Sequence, residues 1–578
     1  MNSTIHFSLS FPEAQAHYVD VQLDIQGFEN QNYIDLVLPV WAPGSYLIRE
    51  YAKNVERFRA ADATGVACPF TKVNKNTWRV QHHGKALSVT YAVYGFESSV
   101  RTSFINREHA FLSPVGVFFH IQGQLQHPVT VSVKLPENWP KISSGLEPTN
   151  SSNTYYAANY DILYDSPFEI GNHDTWSFDV EGVTHECAMV GEGNYNKQQL
   201  TEDITKIVAE ENKIWGSNPN NYYLFITHNH QNAFGGLEHL NSTVLACSRF
   251  AYQQEASYKS YLSLVAHEYF HLWNVKRLRP KALGPFDYNQ ENYTTGLWIM
   301  EGFTAYYDNL IVRRCGFYSE EEYLQQLAID FNTVYNRPGY QLQSAAAASF
   351  DTWIKQYRPD ENSANTSISY YNKGAMHAVA LDIKILVQTE GKYRLDDVLK
   401  AAYNQFYIIE NRGFEEEELQ KLAEDLTGVP LDDIFKAAHS VEELDYNRIF
   451  NEVGYEMVDL LAAHNSASLG VRIAASEGRS IIKQVDRDSA AWHGGLNVED
   501  ELLAVDHYRV DTAGKVLDYI LASKQVGEQI KLVIARDGLL QQLTVTLQKQ
   551  DKKNYVIQRK ENSTLQQQAY GNIWLSLS

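Results

Sequence analysis

A chain of 578 residues that is 44% hydrophobic, 12% aromatic and 21% charged has the make-up of a globular protein with material for several compact units, which excludes long disordered tracts. Its 70 acidic against 49 basic side chains leave a formal charge of -21, which repels polyanions and sets nucleic acid aside. Cys68, Cys187, Cys247 and Cys315 lack the CxxC spacing of a zinc ribbon or redox pair and are expected as buried free thiols; no apolar run has the length of a membrane span, and the first residues show no signal peptide, so a cytoplasmic protein is expected.

From residue 1 to 170 the chain reads as short alternating segments, IHFSLSF, HYVDVQLDIQGF, YIDLVLPVW, LSVTYAVYGF and VTVSVKLP, which predict a β-sandwich-like domain. Near residue 200, LTEDITKIVAEENKIWG shifts to helical spacing and marks a mixed unit over 171–317. Between 318 and 466 the helical period dominates in EEEYLQQLAIDFNTVY, KGAMHAVALDIKILVQ, LDDVLKAAYNQF and EEEELQKLAEDLTG, several of which open on acids suited to a helix N-terminus. A compact module over 467–550 follows, with strand-like ASLGVRIAAS, SIIKQVD, ELLAVD and KLVIARD around the turn-rich DSAAWHGGLNVED. The last segment, 551–578, carries one apolar cluster. The predicted class is a multidomain α+β chain.

Chemistry concentrates in SYLSLVAHEYFHLWNVKRLRP. His267 and His271 stand four apart, on one face of a helix, where two neutral imidazoles can share one Zn²⁺. Glu268 beside them can take a proton from a water acidified by the metal. Leu262, Leu264 and Val265 supply the apolar face of a buried helix, and Pro280 limits its continuation. A second segment, LWIMEGFTAYYDNLIVRRCG, places Glu301 among apolar neighbours, where a carboxylate is costly unless paired or bound to metal. Glu301 is the natural third ligand, leaving a fourth position open as catalytic zinc requires.

HEYFHLWNVKRLRP followed by LWIMEGFTAYY, with WAPGSYLIREYA at 41–52 and the C-terminal module, resembles the glycyl aminopeptidase family of PDZ-containing zinc metallopeptidases, gluzincins with an aminopeptidase N-like catalytic core. The resemblance implies a thermolysin-like core over 171–317 completed by the helical unit, one zinc per chain, and removal of a small N-terminal residue, glycine or alanine. Trp298, Glu301, Gly302 and Phe303 match the wider group's WxxEGF segment, at a longer distance from the HExxH helix. FGGLEHLNS at 234–242 is similar to its GxMEN strand, which implies that Glu238 grips the substrate's α-amino group and that Gly235 and Gly236 let the peptide approach; Leu237 for Met and His239 for Asn depart from the pattern. SISYYNKGAMHAV at 367–379 is similar to the YxKG segment, which maps the oxyanion-donating phenol onto Tyr371, with Tyr370 as its rival. Asn274, Lys276 and Arg277 fit the family pattern after the zinc helix, and Asp308, seven residues beyond Glu301, can orient a ligand imidazole.

The C-terminal module resembles a PDZ domain, with Ser468 to Val471 in the position of its carboxylate-binding loop, and such domains take an extended C-terminal peptide as an added strand. The expected partners are therefore peptides, with no nucleic acid and no membrane. Two other functions stay open on the sequence: a zinc endopeptidase in which Glu238 binds no amine, and a PDZ-type scaffold with an inactive peptidase core.

Overall fold

The computed structural model describes residues 3–28, 32–82, 84–512 and 514–577. Period-two burial builds the N-terminal part: Ile5, Phe7 and Leu9 turn inward on Thr4–Ser10, as do Val19, Val21, Leu23 and Ile25 on the antiparallel partner Tyr18–Gln26. These two strands lie inside a seven-stranded sheet, which packs with a five-stranded and a four-stranded sheet around one core. Strands stand where the alternation of IHFSLSF, HYVDVQLDIQGF, YIDLVLPVW, LSVTYAVYGF and VTVSVKLP puts them. In the five-stranded sheet, β1 (Phe96–Ser99) and β2 (Thr102–Ile105) form a hairpin. Its tip buries Val100 against Leu237, Val244 and Ala246 of the next sheet.

That next sheet runs, in spatial order, β3 (Asp174–Val180), β4 (Val183–Val190), β5 (Tyr222–His230), β7 (Ser242–Ser248) and β6 (Gly235–Glu238). Its parallel centre is covered by α1 (Lys197–Trp215), whose Asn196 caps the N-terminus and whose Gly216 closes it in the left-handed region. The glycine-rich β6 is left on the edge. Helix α2 (Glu255–Phe270) carries the HExxH segment; it stops well before Pro280, because residues 271–273 turn and Val275 takes a positive φ of 126°. α3 (Leu297–Arg314), α4 (Glu320–Tyr335) and α5 (Tyr370–Gln388) complete the helical wall, and α4 opens on a Ser319–Glu322 capping box that suits its acidic first turn. LDDVLKAAYNQF is α-helical only to Ala402, after which Tyr403–Ile409 widens into a π-helix.

The C-terminal module is a six-stranded sheet with a helix over Lys515–Ser523 and its own core. The strand Leu539–Thr546, which the sequence reading did not mark, pairs along Gln529–Arg536. The final segment is not an appendage. Tyr555–Arg559 pairs antiparallel with Tyr455–Asp459, and the helix Leu565–Trp574 seats a fully buried Trp574 whose indole donates to the Tyr306 hydroxyl of α3 at 2.9 Å. Cys187 and Cys247 are buried as expected, whereas Cys68 and Cys315 are half-buried because they fall in a loop and at the end of α3. Among the described residues no helix is long and apolar enough to cross a membrane.

α3 and α5 touch where neither has a side chain: a Cβ on Gly302 would strike the Gly374 backbone, and one on Gly374 would strike the Trp298 carbonyl. Glu301 and Tyr371 flank this crossing in sequence. Gly374→Ala is therefore expected to spread the two helices and cost about 1–3 kcal/mol, read as a lower denaturant midpoint together with a weakened hold on metal.

Candidate active site

His267 lies in the last turn of α2, and His271 follows at its C-cap with helical angles (φ -62°, ψ -17°), so both imidazoles leave the helix on one side. Glu301 reaches them from the first turns of α3. The facing atoms form a small triangle: His267 Nε2 to His271 Nε2 is 3.2 Å, and Glu301 Oε2 is 3.1 Å from His271 Nε2 and 3.5 Å from His267 Nε2. A tetrahedral ion with bonds of about 2.0–2.2 Å separates its donors by roughly 3.3–3.6 Å, so the donor set fits zinc. The other ring nitrogens are already engaged. His267 Nδ1 is 3.0 Å from Asp308 Oδ2, and His271 Nδ1 is 2.7 Å from the Asn274 carbonyl oxygen, which leaves both Nε2 atoms free to face an ion.

The electrostatics reflect the crowding. Burial raises the pKa of Glu301, but His271 and His267 outweigh it and hold the carboxyl at about 2. Burial opposes the charge on His267, yet Asp308 and Glu301 carry its pKa well above the ordinary imidazole value. Glu268 goes the other way: burial, with Glu238 and Glu301 adding repulsion, pushes it up to about 7 against the pull of the two histidines. Its Oε2 is buried without a hydrogen-bond partner among the described residues, as expected of an acceptor that awaits a ligand or water.

These groups line a cavity of about 250 Å³ whose wall also includes Glu238, Gly235, Gly236 and Tyr371. Gly236 lets β6 lie against Glu268, since a Cβ there would collide with that carboxylate. Glu238 is buried, 4% exposed. Tyr371 lines the cavity with its ring 6.3 Å from that of His267, while Tyr370 is fully buried and receives a hydrogen bond from Thr352 Oγ1 at 3.0 Å. The geometry thus brings Tyr371, not Tyr370, to the cleft.

The segment after the zinc helix splits its tasks. The Asn274 amide donates to the Ile299 and Met300 carbonyl oxygens and to Thr304 Oγ1, tying the His271 turn to the helix that bears Glu301. Lys276 pairs with Asp165 at 2.7 Å, and His239, the residue standing where the pattern has Asn, meets the same carboxylate at 2.9 Å. Arg277 braces the turn through the Leu240 and Leu272 carbonyl oxygens and Asn220. No ligand is touched by Lys276 or Arg277 side chains among the bonds of the described residues.

Two wall residues, Gly44 and Arg101, have no role assigned by the sequence. Gly44, in WAPGSY, sits at φ +80° where a Cβ would collide with the Glu238 carboxylate, and its carbonyl oxygen receives the Tyr357 hydroxyl at 3.4 Å. Arg101, from the β1–β2 tip, completes the wall. The WAPGSY segment gains its place in the site from docking, with Trp41 donating to the Asp287 carbonyl oxygen at 2.8 Å. Arg101 has no sequence pattern to betray it.

The family profile of the peptidase M61 N-terminal domain matches residues 6–172, that of the M61 glycyl aminopeptidase matches 260–377, and that of the PDZ domain matches 467–547. No curated protein matches the chain. An aminopeptidase N family protein from Idiomarina loihiensis has a crystal structure 28% identical in sequence, which covers 99% of this chain and 100% of its own with a TM-score of 0.92. An M1 zinc metallopeptidase from Deinococcus radiodurans is 14% identical over 76% of this chain and 94% of its own, with a TM-score of 0.48. Yeast LTA4 hydrolase in complex with bestatin is 12% identical over 77% and 66%, with a TM-score of 0.45. The chain thus carries, in order, segments that match the peptidase M61 N-terminal domain, the M61 glycyl aminopeptidase and the PDZ domain.

Proposed function

We propose that the chain removes small N-terminal residues, glycine or alanine, from peptides at a single zinc held by His267, His271 and Glu301. The observation that carries this reading is the convergence of those three donors with Glu268 and Glu238 on one cavity of about 250 Å³. When bound, zinc polarises the scissile carbonyl and lowers the pKa of water. Glu268 accepts the proton of the attacking water and passes it to the departing amine. Its burial, with Oε2 free of hydrogen-bond partners among the described residues, suits a carboxylate that takes and returns a proton at the reacting atoms. Tyr371 donates its phenolic proton in a hydrogen bond to the oxygen where negative charge grows. Glu238 holds the substrate's ammonium, and the bare backbone at Gly235 and Gly236 leaves room for an extended peptide beside β6. The small cavity and the family's glycyl preference support a small first side chain. The PDZ domain is assigned a separate peptide C-terminus, taken at its Ser468–Val471 loop.

Glycyl peptides with a free α-amine should be hydrolysed, and their N-acetylated forms should not, because acetylation removes the charge that Glu238 holds. Equal rates would instead mark an endopeptidase. Glu268→Gln should retain stoichiometric zinc by metal analysis while kcat falls about 10²–10⁴-fold. Asp308→Asn should weaken zinc binding about 10–100-fold in a chelator competition, since the His267 ring loses the carboxylate that orients it.

A further inference from the structure

The cavity contains one cationic side chain, Arg101, that the reaction above does not use. Arg101 projects from the β1–β2 tip, which is a built feature: Val100 beside it is buried in the core of the β3–β7 sheet, the Arg101 amide donates to Ser99 Oγ at 3.0 Å, and its carbonyl oxygen accepts from the Tyr51 hydroxyl at 3.1 Å. Among the described residues it is the one guanidinium or ammonium group lining the cavity. Its Nη2 donates to the Gly236 carbonyl oxygen at 3.2 Å, and among the described residues its buried Nε has no hydrogen-bond partner and the side chain forms no ion pair. Burial opposes its charge, while Tyr357, Tyr371, Glu268 and Glu238 favour it.

Its position on β6 matters. His239 donates its amide to the Ser242 carbonyl oxygen, so the positions that pair with β7 run 239, 237 and 235, and Glu238 and Gly236 turn their backbone groups to the open edge. A peptide added to that edge would use those groups as its ladder. Arg101 occupies the Gly236 acceptor and so ends the ladder two residues from Glu238. Two residues of strand span roughly 7 Å, about the reach of a dipeptide from ammonium to carboxylate.

We infer that Arg101 forms a subsite for the terminal carboxylate of a short peptide, so that this enzyme favours dipeptides with a free C-terminus. The inference rests on the aminopeptidase reading, with the ammonium on Glu238. The two charged ends of the substrate are then held by two different domains: Glu238 by the catalytic sheet and Arg101 by the N-terminal sheets. A longer peptide, or one with an amidated end, presents a neutral carbonyl to the guanidinium and loses a charge-assisted hydrogen bond.

The test compares kcat/KM of the zinc-loaded full chain for glycylglycine and for its C-terminal amide. The wild type is expected to favour the free acid by about ten- to a hundredfold. Arg101→Gln is expected to bring that ratio to within about threefold of unity, and Arg101→Lys to keep part of it. A wild-type ratio near one, or a ratio that survives in Arg101→Gln, overturns the subsite. The wild-type comparison stands without either variant. Failure of the aminopeptidase reading has a different signature, in which N-acetylation leaves hydrolysis unchanged or neither compound is cleaved. In the latter case equilibrium binding of the acid against the amide to the zinc-loaded chain poses the same question, and equal affinities overturn the subsite.

Discussion

Four carboxylates, Glu238, Glu268, Glu301 and Asp308, share one small cavity, and much of the architecture exists to keep them there. Like charges in a poorly hydrated space repel, and burying each one is costly unless something compensates. Two imidazoles and one guanidinium answer part of the excess. The partition of pKa values records the rest: Glu301 is held ionised between the histidines, while Glu268, left without a partner on Oε2, is driven toward neutrality. His267, His271 and Glu301 also face one another closely enough to hold a dication, which would offset the remaining negative charge.

Keeping these groups in register requires three parts of the chain to meet. α2 and α3 bring the donors, locked by the Asn274 amide; the α3–α5 crossing at Gly302 and Gly374 sets where Tyr371 can stand. The N-terminal sheets then close the cleft from outside through Gly44 and Arg101, and Asp165 ties that domain to both Lys276 and His239. The departure of His239 from the pattern is thereby accounted for: it makes a buried contact with Asp165 and is not among the residues that line the cavity.

What could be read from the sequence was whatever rests on local periodicity or fixed spacing. The strands that bury Phe7 and Leu23 follow from alternation, and the pairing of His267 with His271 follows from helical geometry. Glu301 was legible because an acid within LWIMEGF needs a reason. Choosing between Tyr370 and Tyr371 was beyond local pattern, because adjacent residues on a helix differ only in which way they face, and that is decided by packing against Thr352 and the cleft. Arg101 was invisible for a related reason: it comes from a hairpin tip more than a hundred residues upstream, where nothing nearby signals the sheet it will insert into. The final helix was equally silent, since the partner of Trp574 is Tyr306 of α3.

The ladder between Tyr455–Asp459 and Tyr555–Arg559 gives the PDZ domain an unusual kind of attachment. Asp459 and Tyr555 are register partners, so the chain leaves the helical body and returns to it at neighbouring points. In topological terms residues 460–554 are an insertion at the tip of a β-hairpin, fastened once more where Asn365 bonds the Val485 carbonyl oxygen and the Arg487 amide at 2.8 Å each. A short turn could bridge the two strands in their place. The peptidase body could thus have existed without the module, and the module can be exchanged without rerouting the chain that seals α3 behind it.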